Sequence, residues 1–320
     1  MKWRTEVAIP SGPNPIGYRD QVLLLGSCFA THLSEKLTYY QFPSLCNPFG
    51  VLFHPVPMEN LLRRALEDRP FAPEDLLESQ GRWRSLQAHS TLSGGSLTEA
   101  LTQLNGALAT LKQALQHSTH AVITLGTAYG FRHLKTGHLV ANCHKLPSGE
   151  FERELSAPPA LEQSLSGILT LLRSYQKDMT CLLTVSPVRH IRDGLVENQR
   201  SKAHLITAVH TLVQRGEADY FPSYELFMDE LRDYRFYDRD LIHPSGAAVD
   251  YVWERFVQAW VEPQALLVMD EVASIRKGLA HRPLHGNSPE YRKFRESLED
   301  KIQSLLKRYP HMILDRGGTD

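Results

Sequence analysis

The sequence predicts an α/β protein of three layers, α/β/α, around a central parallel sheet of about five strands. Three observations predict it. Short apolar runs recur along the chain, and each ends in small polar residues. Long stretches of helical periodicity separate those runs. The composition, 42% hydrophobic and 22% charged over 320 residues, supports a sizeable buried core.

The first run is Gln21-Val-Leu-Leu-Leu-Gly26, near-continuously apolar as a strand buried on both faces must be. A helical pattern follows to Tyr40. Arg82-Trp-Arg84 reads as a β-hairpin insertion, and residues 97–116 as a helix. Ala121-Val-Ile-Thr-Leu-Gly126 is the second buried strand. Residues 131–140 read as another hairpin insertion, with its turn at Lys135-Thr-Gly137, and residues 161–176 as a helix. Met179-Thr-Cys-Leu-Leu-Thr-Val185 is the third strand and ends in Ser186-Pro187. Residues 198–215 form a helix closed by Gly216, and Asn198, Arg200, Ser201 and Lys202 in its first turns read as caps and surface charge. A short last strand falls at 218–221, and a helix starts at Gly246. Such alternation implies right-handed crossovers and helices on both faces of the sheet.

Charge divides the chain. Residues 1–275 carry a net −5, whereas 276–308 carry +5, which sets a boundary near Val272 between a body, 1–271, and a C-terminal helical extension, 272–320. In the extension Tyr291, Phe294, Leu298, Ile302 and Leu305 recur at helical spacing behind a Ser288-Pro289 start. No site motif lies there, so it is expected to be dispensable for chemistry.

Several function classes are excluded. With 35 basic and 36 acidic residues there is no general reason to expect a nucleic-acid partner. No run approaches the roughly 20 apolar residues of a membrane span. Pro10, Pro13 and Pro15 break up the region where a signal peptide would stand, so a cytoplasmic location is expected. The four cysteines form no CxxC pair, and no HxH or HExxH spacing occurs; neither disulfides, a metal nor a cofactor is expected. Oligomeric state is left open.

In a parallel sheet the ligand sits at the carboxyl ends of the strands. Ser27 follows the first strand and opens a helix, where it is either a plain helix cap or a nucleophile beside helix N-terminal amides. Further on, Asp240-Leu-Ile-His243 spaces a carboxylate and an imidazole by three residues, so the carboxylate can hold one ring nitrogen while the other takes a proton. A serine at a strand end, then an aspartate, then a histidine suggests a hydrolytic triad. Cys28 is more simply a small buried cysteine than a thiol nucleophile. Arg189 and His190 leave the third strand; Arg189 there either holds a substrate carboxylate or phosphate or pairs with a nearby acid such as Asp193.

The pentapeptide Gly26-Ser-Cys-Phe-Ala30 resembles the signature of the GSCFA domain family, which is similar to the SGNH (GDSL-like) esterases and acylhydrolases. The resemblance extends through Asn47-Pro-Phe-Gly50, Leu125-Gly-Thr127, Asn142-Cys-His-Lys145, Val185-Ser-Pro-Val-Arg-His190, Asn198-Gln-Arg-Ser-Lys202, Phe221-Pro-Ser-Tyr-Glu225 and Asp240-Leu-Ile-His-Pro-Ser245, and covers roughly residues 15–262. It implies a flavodoxin-like topology, with Ser27 as nucleophile, His243 as base and Asp240 as its orienting carboxylate. The backbone amides of Ser27 and Gly50 would then help bind an oxyanion. SGNH enzymes carry Gly-x-Asn after the central strand, whereas this chain reads Gly126-Thr-Ala128. Asn142 or His144, delivered by the second hairpin, is the expected substitute donor, with Thr127, Arg189 and His190 on the substrate side. The resemblance implies an esterase acting on O-acyl groups of a glycan or small hydroxylated molecule through an acyl-serine. An O-acyltransferase, or a binding protein that keeps the fold without catalysis, is the alternative.

Overall fold

A computed structural model describes residues 5–281 and 288–314. In chain order the elements are β1 (Val22–Gly26), α1 (Cys28–Tyr39), β2 (Ser44–Cys46), α2 (Pro55–Leu66), β3 (Leu77–Ser79), β4 (Arg82–Arg84), α3 (Leu97–His117), β5 (His120–Leu125), β6 (Tyr129–His133) and β7 (Leu139–Val140). There follow β8 (Phe151–Leu155), α4 (Pro158–Tyr175), β9 (Thr180–Val185), α5 (Leu195–Gln214), β10 (Asp219–Tyr220), the single turn α6 (Ser223–Glu225), α7 (Gly246–Trp260), α8 (Pro263–Leu279) and α9 (Pro289–Arg308).

β10, β9, β5, β1 and β2 lie side by side in that order, all parallel. Numbered along the chain this is the 2-1-3-4-5 order of flavodoxin-like sheets, whose switch point falls between the first and third strands, here β1 and β5. Gly26 stands opposite Thr124, and Thr124 opposite Thr184, so the strands end nearly level. That register brings Ser27, Gly126 and Ser186 to one edge.

Alternation along the strands sorts the core into two halves. Leu23, Leu25, Ile123 and Leu183 face α2 to α5, while Val22, Leu24, Val122 and Leu182 face α1, α7 and α8. The three strands with runs long enough to be covered on both faces are those visible as apolar sequence. β2 is different: it has three residues, all half-buried, at the sheet edge. Its run is too short to distinguish from loop.

Both hairpin insertions are present. β3 and β4 pair antiparallel around Gln80-Gly81, and β6 pairs with β7. β8 then adds a third antiparallel strand that the sequence reading lacked. Phe-Glu-Arg-Glu-Leu looks solvated until β6 is laid beside it.

The C-terminal extension forms the predicted helix, with Ser288 capping the amide of Tyr291. α8 runs without a break through Val272, and Val272, Ile275, Leu298, Ile302 and Leu305 share one core with α1 and α7. The extension is therefore part of the packing of the body. Among the described residues no helix is long and apolar enough to cross a membrane.

Candidate functional site

The site begins with a glycine. Gly26 has φ +130°, and a Cβ there would stand 2.0 Å from the carbonyl oxygen of Thr124. Only glycine lets the end of β1 lie this close to β5. Its amide donates to Asn47 Oδ1 at 2.7 Å. The next residue, Ser27, is in extended backbone and caps α1, its hydroxyl accepting from the amide of Phe29. The Ser27 side chain is 1% exposed, and Oγ lies 3.1 Å from Thr124 Oγ1. Thr124 also takes the Ser27 amide, through its carbonyl at 3.0 Å and its hydroxyl at 2.9 Å. Gly50, at φ +75°, donates its amide to the Asn47 carbonyl at 2.7 Å. Both backbone amides expected at an oxyanion are thus already engaged within the chain.

The acid–base pair forms on a tight turn. Leu241 at φ +59° reverses the chain, so that Asp240 Oδ1 accepts from the amides of Ile242 at 2.8 Å and His243 at 2.9 Å. Oδ2 accepts from His243 Nδ1 at 2.6 Å. These three donors hold the Asp240 carboxyl down to about 2, so it stays ionised. The pair is open to solvent, 40% exposed at the histidine and 44% at the aspartate. Arg189 ties this loop to the exit of β9, its amide donating to Ile242 O and its guanidinium to Leu241 O, both at 3.3 Å. The same guanidinium stacks 4.1 Å over Tyr237. Among the described residues, Ser27 Oγ bonds Thr124 and Phe29 and not His243.

His190 lies between the strand ends and that loop. Its ring packs edge-on to Phe53, and Nε2 is 3.1 Å from where a Gly126 Cβ would stand. Nε2 is buried without a hydrogen-bond partner among the described residues. Burial, then the charges of Lys202 and His243, depress the imidazole to about 3, so it is neutral at physiological pH. Asn198 Oδ1 fixes the segment by accepting from the His190 amide at 2.9 Å.

Beneath this edge Lys202 is fully buried. Its ammonium donates to the carbonyls of Gly126 and Ser186, both at 2.7 Å, clamping the ends of β5 and β9 together. Burial lowers the amine to about 7. Beside it Ser201 bonds Thr127 Oγ1 at 2.9 Å and the Ala128 amide at 2.8 Å, so Thr127 is part of a strand-end knot.

A cavity of about 530 Å³ opens between the β6–β8 sheet and the strand ends. Thr127, Asn142, His144 and His190 all line it; Ser27, Gly50, Arg189, Asp240 and His243 do not. Asn142 Oδ1 accepts the His144 amide at 2.8 Å. His144 Nε2 lies 2.7 Å from the Ser85 carbonyl, to which it must donate, so this nitrogen has no hydrogen left for a ligand. Cys28 is half-buried, and burial raises its thiol above the usual range, which disfavours the nucleophilic thiolate. Among the described residues no three His, Cys, Asp or Glu side chains converge as metal ligands.

The family model of the GSCFA family matches residues 21–256, and that of the GSCFA domain protein, C-terminal domain, matches residues 272–316. The chain belongs to the GSCFA family. No curated protein matches it.

In this GSCFA protein the signature pentapeptide is the β1–α1 junction, and four of its five residues have a local task there: Gly26 for the close approach, Ser27 for the cap, and Phe29 and Ala30 for the buried face of α1. Lys202 and its neighbours belong to the site although their residue types look like caps and surface charge. Asn198, Ser201 and Lys202 are buried rather than surface charge. A signal for this existed, because they lie at i, i+3 and i+4 with Leu205 at i+7, one helical face turned to the sheet.

Proposed function

We propose that this protein is a serine esterase similar to the SGNH acylhydrolases, which cleaves O-acyl groups from a glycan or small hydroxylated substrate. The observation that carries the reading is the Asp240–His243 pair. A 2.6 Å bond to an ionised carboxylate fixes Nδ1 as the protonated nitrogen and leaves Nε2 as the base. Arg189 ties the pair's loop to the exit of β9, and Ser27 closes β1, both at carboxyl ends of the parallel sheet, the edge where ligands bind.

In the reaction His243 Nε2 takes the Ser27 proton as Oγ bonds the acyl carbon. The imidazolium, supported by Asp240, returns that proton to the departing alkoxide as the ester C–O bond breaks. Water, activated in the same way, then cleaves the acyl-serine. Ser27 Oγ must exchange Thr124 for His243 before attack. With the Ser27 and Gly50 amides engaged, His190 Nε2–H is the side-chain donor for the oxyanion. Its depressed basicity keeps it a neutral donor that does not compete with His243 for the proton.

The closed state of Ser27 favours a second reading, a ligand-binding protein without turnover. A fluorophosphonate probe separates the two, since only an activated serine is phosphonylated. Esterase action predicts labelling at Ser27 and hydrolysis of 4-nitrophenyl acetate. Ser27→Ala and His243→Ala should each lower turnover by about 10⁴–10⁶, and the double variant little more. Full activity in Ser27→Ala sinks the assignment. Acyl transfer to an added polyol in competition with water identifies an acyltransferase.

A further inference from the structure

The β6–β8 sheet sorts its charges by alternation. Phe131 pairs with Arg153 and His133 with Phe151, which puts Tyr129, Phe131, Phe151 and Arg153 on one face. That face floors the 530 Å³ cavity. Arg132, Glu152 and Glu154 take the other face, where Glu154 grips Arg132 with two bonds of 2.7 and 2.8 Å. The acids of this sheet therefore point away from the cavity and one arginine points into it. Arg153 lies 3.6 Å over the ring of Tyr129, and Arg192 reaches 5.2 Å over Phe131 from the loop after β9. Lys145 joins them from a turn in which His144 and Lys145 both take left-handed backbone, φ +50° and +60°. Two consecutive non-glycine residues in that region are unusual and concentrate where a loop is shaped for a ligand. No carboxylate is among the described lining residues; the nearest, Glu197, accepts from the Tyr129 hydroxyl and faces Arg153 from behind the floor, which leaves Lys145 and Arg192 as the cations of the rim.

The volume suits a small ligand, and the aromatic floor suits a flat or apolar body. The basic rim suits a negative charge. We propose that this cavity is the subsite for an anionic group, a phosphate or a carboxylate, carried by the acyl ester that the protein cleaves; the role as substrate subsite rests on the esterase reading. Thr127 and His190 form the end of the cavity next to the strand edge, so an ester reaching that edge would have its charged portion between Lys145 and Arg192.

Three aryl acetates test this: 4-acetoxyphenyl phosphate, 4-acetoxybenzoate and the neutral 4-acetoxybenzamide. In the wild-type protein kcat/KM for one of the anionic esters should exceed that for the amide by tenfold or more. In the Lys145→Gln/Arg192→Gln double variant that ratio should fall by about tenfold, the loss of a charge-assisted hydrogen bond. Which anionic ester is preferred distinguishes phosphate from carboxylate. Hydrolysis of all three at equal efficiency overturns the inference and leaves the serine mechanism standing. If none is hydrolysed, the serine mechanism fails and binding decides the subsite. Cys143 lines the same cavity, and its alkylation, followed site by site by mass spectrometry, should be slowed by phenyl phosphate or benzoate and not by benzamide. Equal rates with all three additives overturn it.

Discussion

Replacing Gly26 with alanine tests how the fold holds the nucleophile. The new Cβ would stand 2.0 Å from the Thr124 carbonyl oxygen and 2.7 Å from Thr124 Oγ1. A carbon and an oxygen come no closer than about 3.3 Å even in a weak C–H···O contact. The end of β1 must therefore move from β5 by more than about 1 Å. Backbone strain at φ +130° costs about 1–3 kcal/mol, and forced packing about 1–3 kcal/mol more. A loss of about 2–6 kcal/mol is expected in urea unfolding monitored by circular dichroism. The same movement stretches the bonds from the Ser27 amide to Thr124, so ester turnover measured where the variant is still folded should fall by about 10²-fold. Gly137→Ala is the control. It also has positive φ, +70°, but nothing lies within 4 Å of its Cβ position, so only the strain remains and turnover should be unaffected. A Gly26→Ala protein within about 1 kcal/mol of wild type, with unchanged turnover, would refute the reasoning.

His190→Ala should lower turnover by about 10²–10³, and Asn142→Ala by less than about tenfold; the reverse order would move the oxyanion donor to Asn142. Acid should destabilise the protein earlier than its carboxylates dictate. Burial holds His190 to about 3 and His54 to about 4, below the ordinary 6.5, so the unfolded chain binds protons that the native state refuses. The stability these two histidines contribute is then full above about pH 6.5 and lost as pH falls toward those values. Urea midpoints at pH 7, 6 and 5 should show this slope, and the His54→Gln/His190→Gln variant should flatten it; a wild-type slope of zero over that range contradicts it. Truncation after Glu271 removes Val272, Ile275, Leu298, Ile302 and Leu305 from the core shared with α1. At about 1.5–3 kcal/mol for each buried side chain, the shortened body should lose its cooperative thermal transition. A sharp transition near that of the full chain would show that the extension only leans on the body.

What is local in this protein could be read from its sequence. A strand covered on both faces must be apolar throughout, so β1, β5 and β9 stand out as runs, and the long helices follow from their period. The Asp240–His243 pair is legible for the same reason, since three residues of a tight turn contain the whole interaction. Ser27 as the cap of α1 was equally visible. β2 and β8 were not, because their cover comes from neighbours: β1 for one, and β6 for the other.

Only the tertiary structure decided what meets across the sheet edge. Thr124 lies 97 residues from the serine whose hydroxyl and amide it holds. Lys202 reads as a charged residue near the start of a helix until α5 packs on the sheet and carries the ammonium beneath two carbonyls that have lost their strand neighbours. His190 is an ordinary loop histidine in sequence; Gly126, by lacking a side chain, makes room for its ring. A pattern of polarity records which face of an element is covered. It does not record which atom of a distant element does the covering, because that depends on register, crossover and the space a glycine leaves.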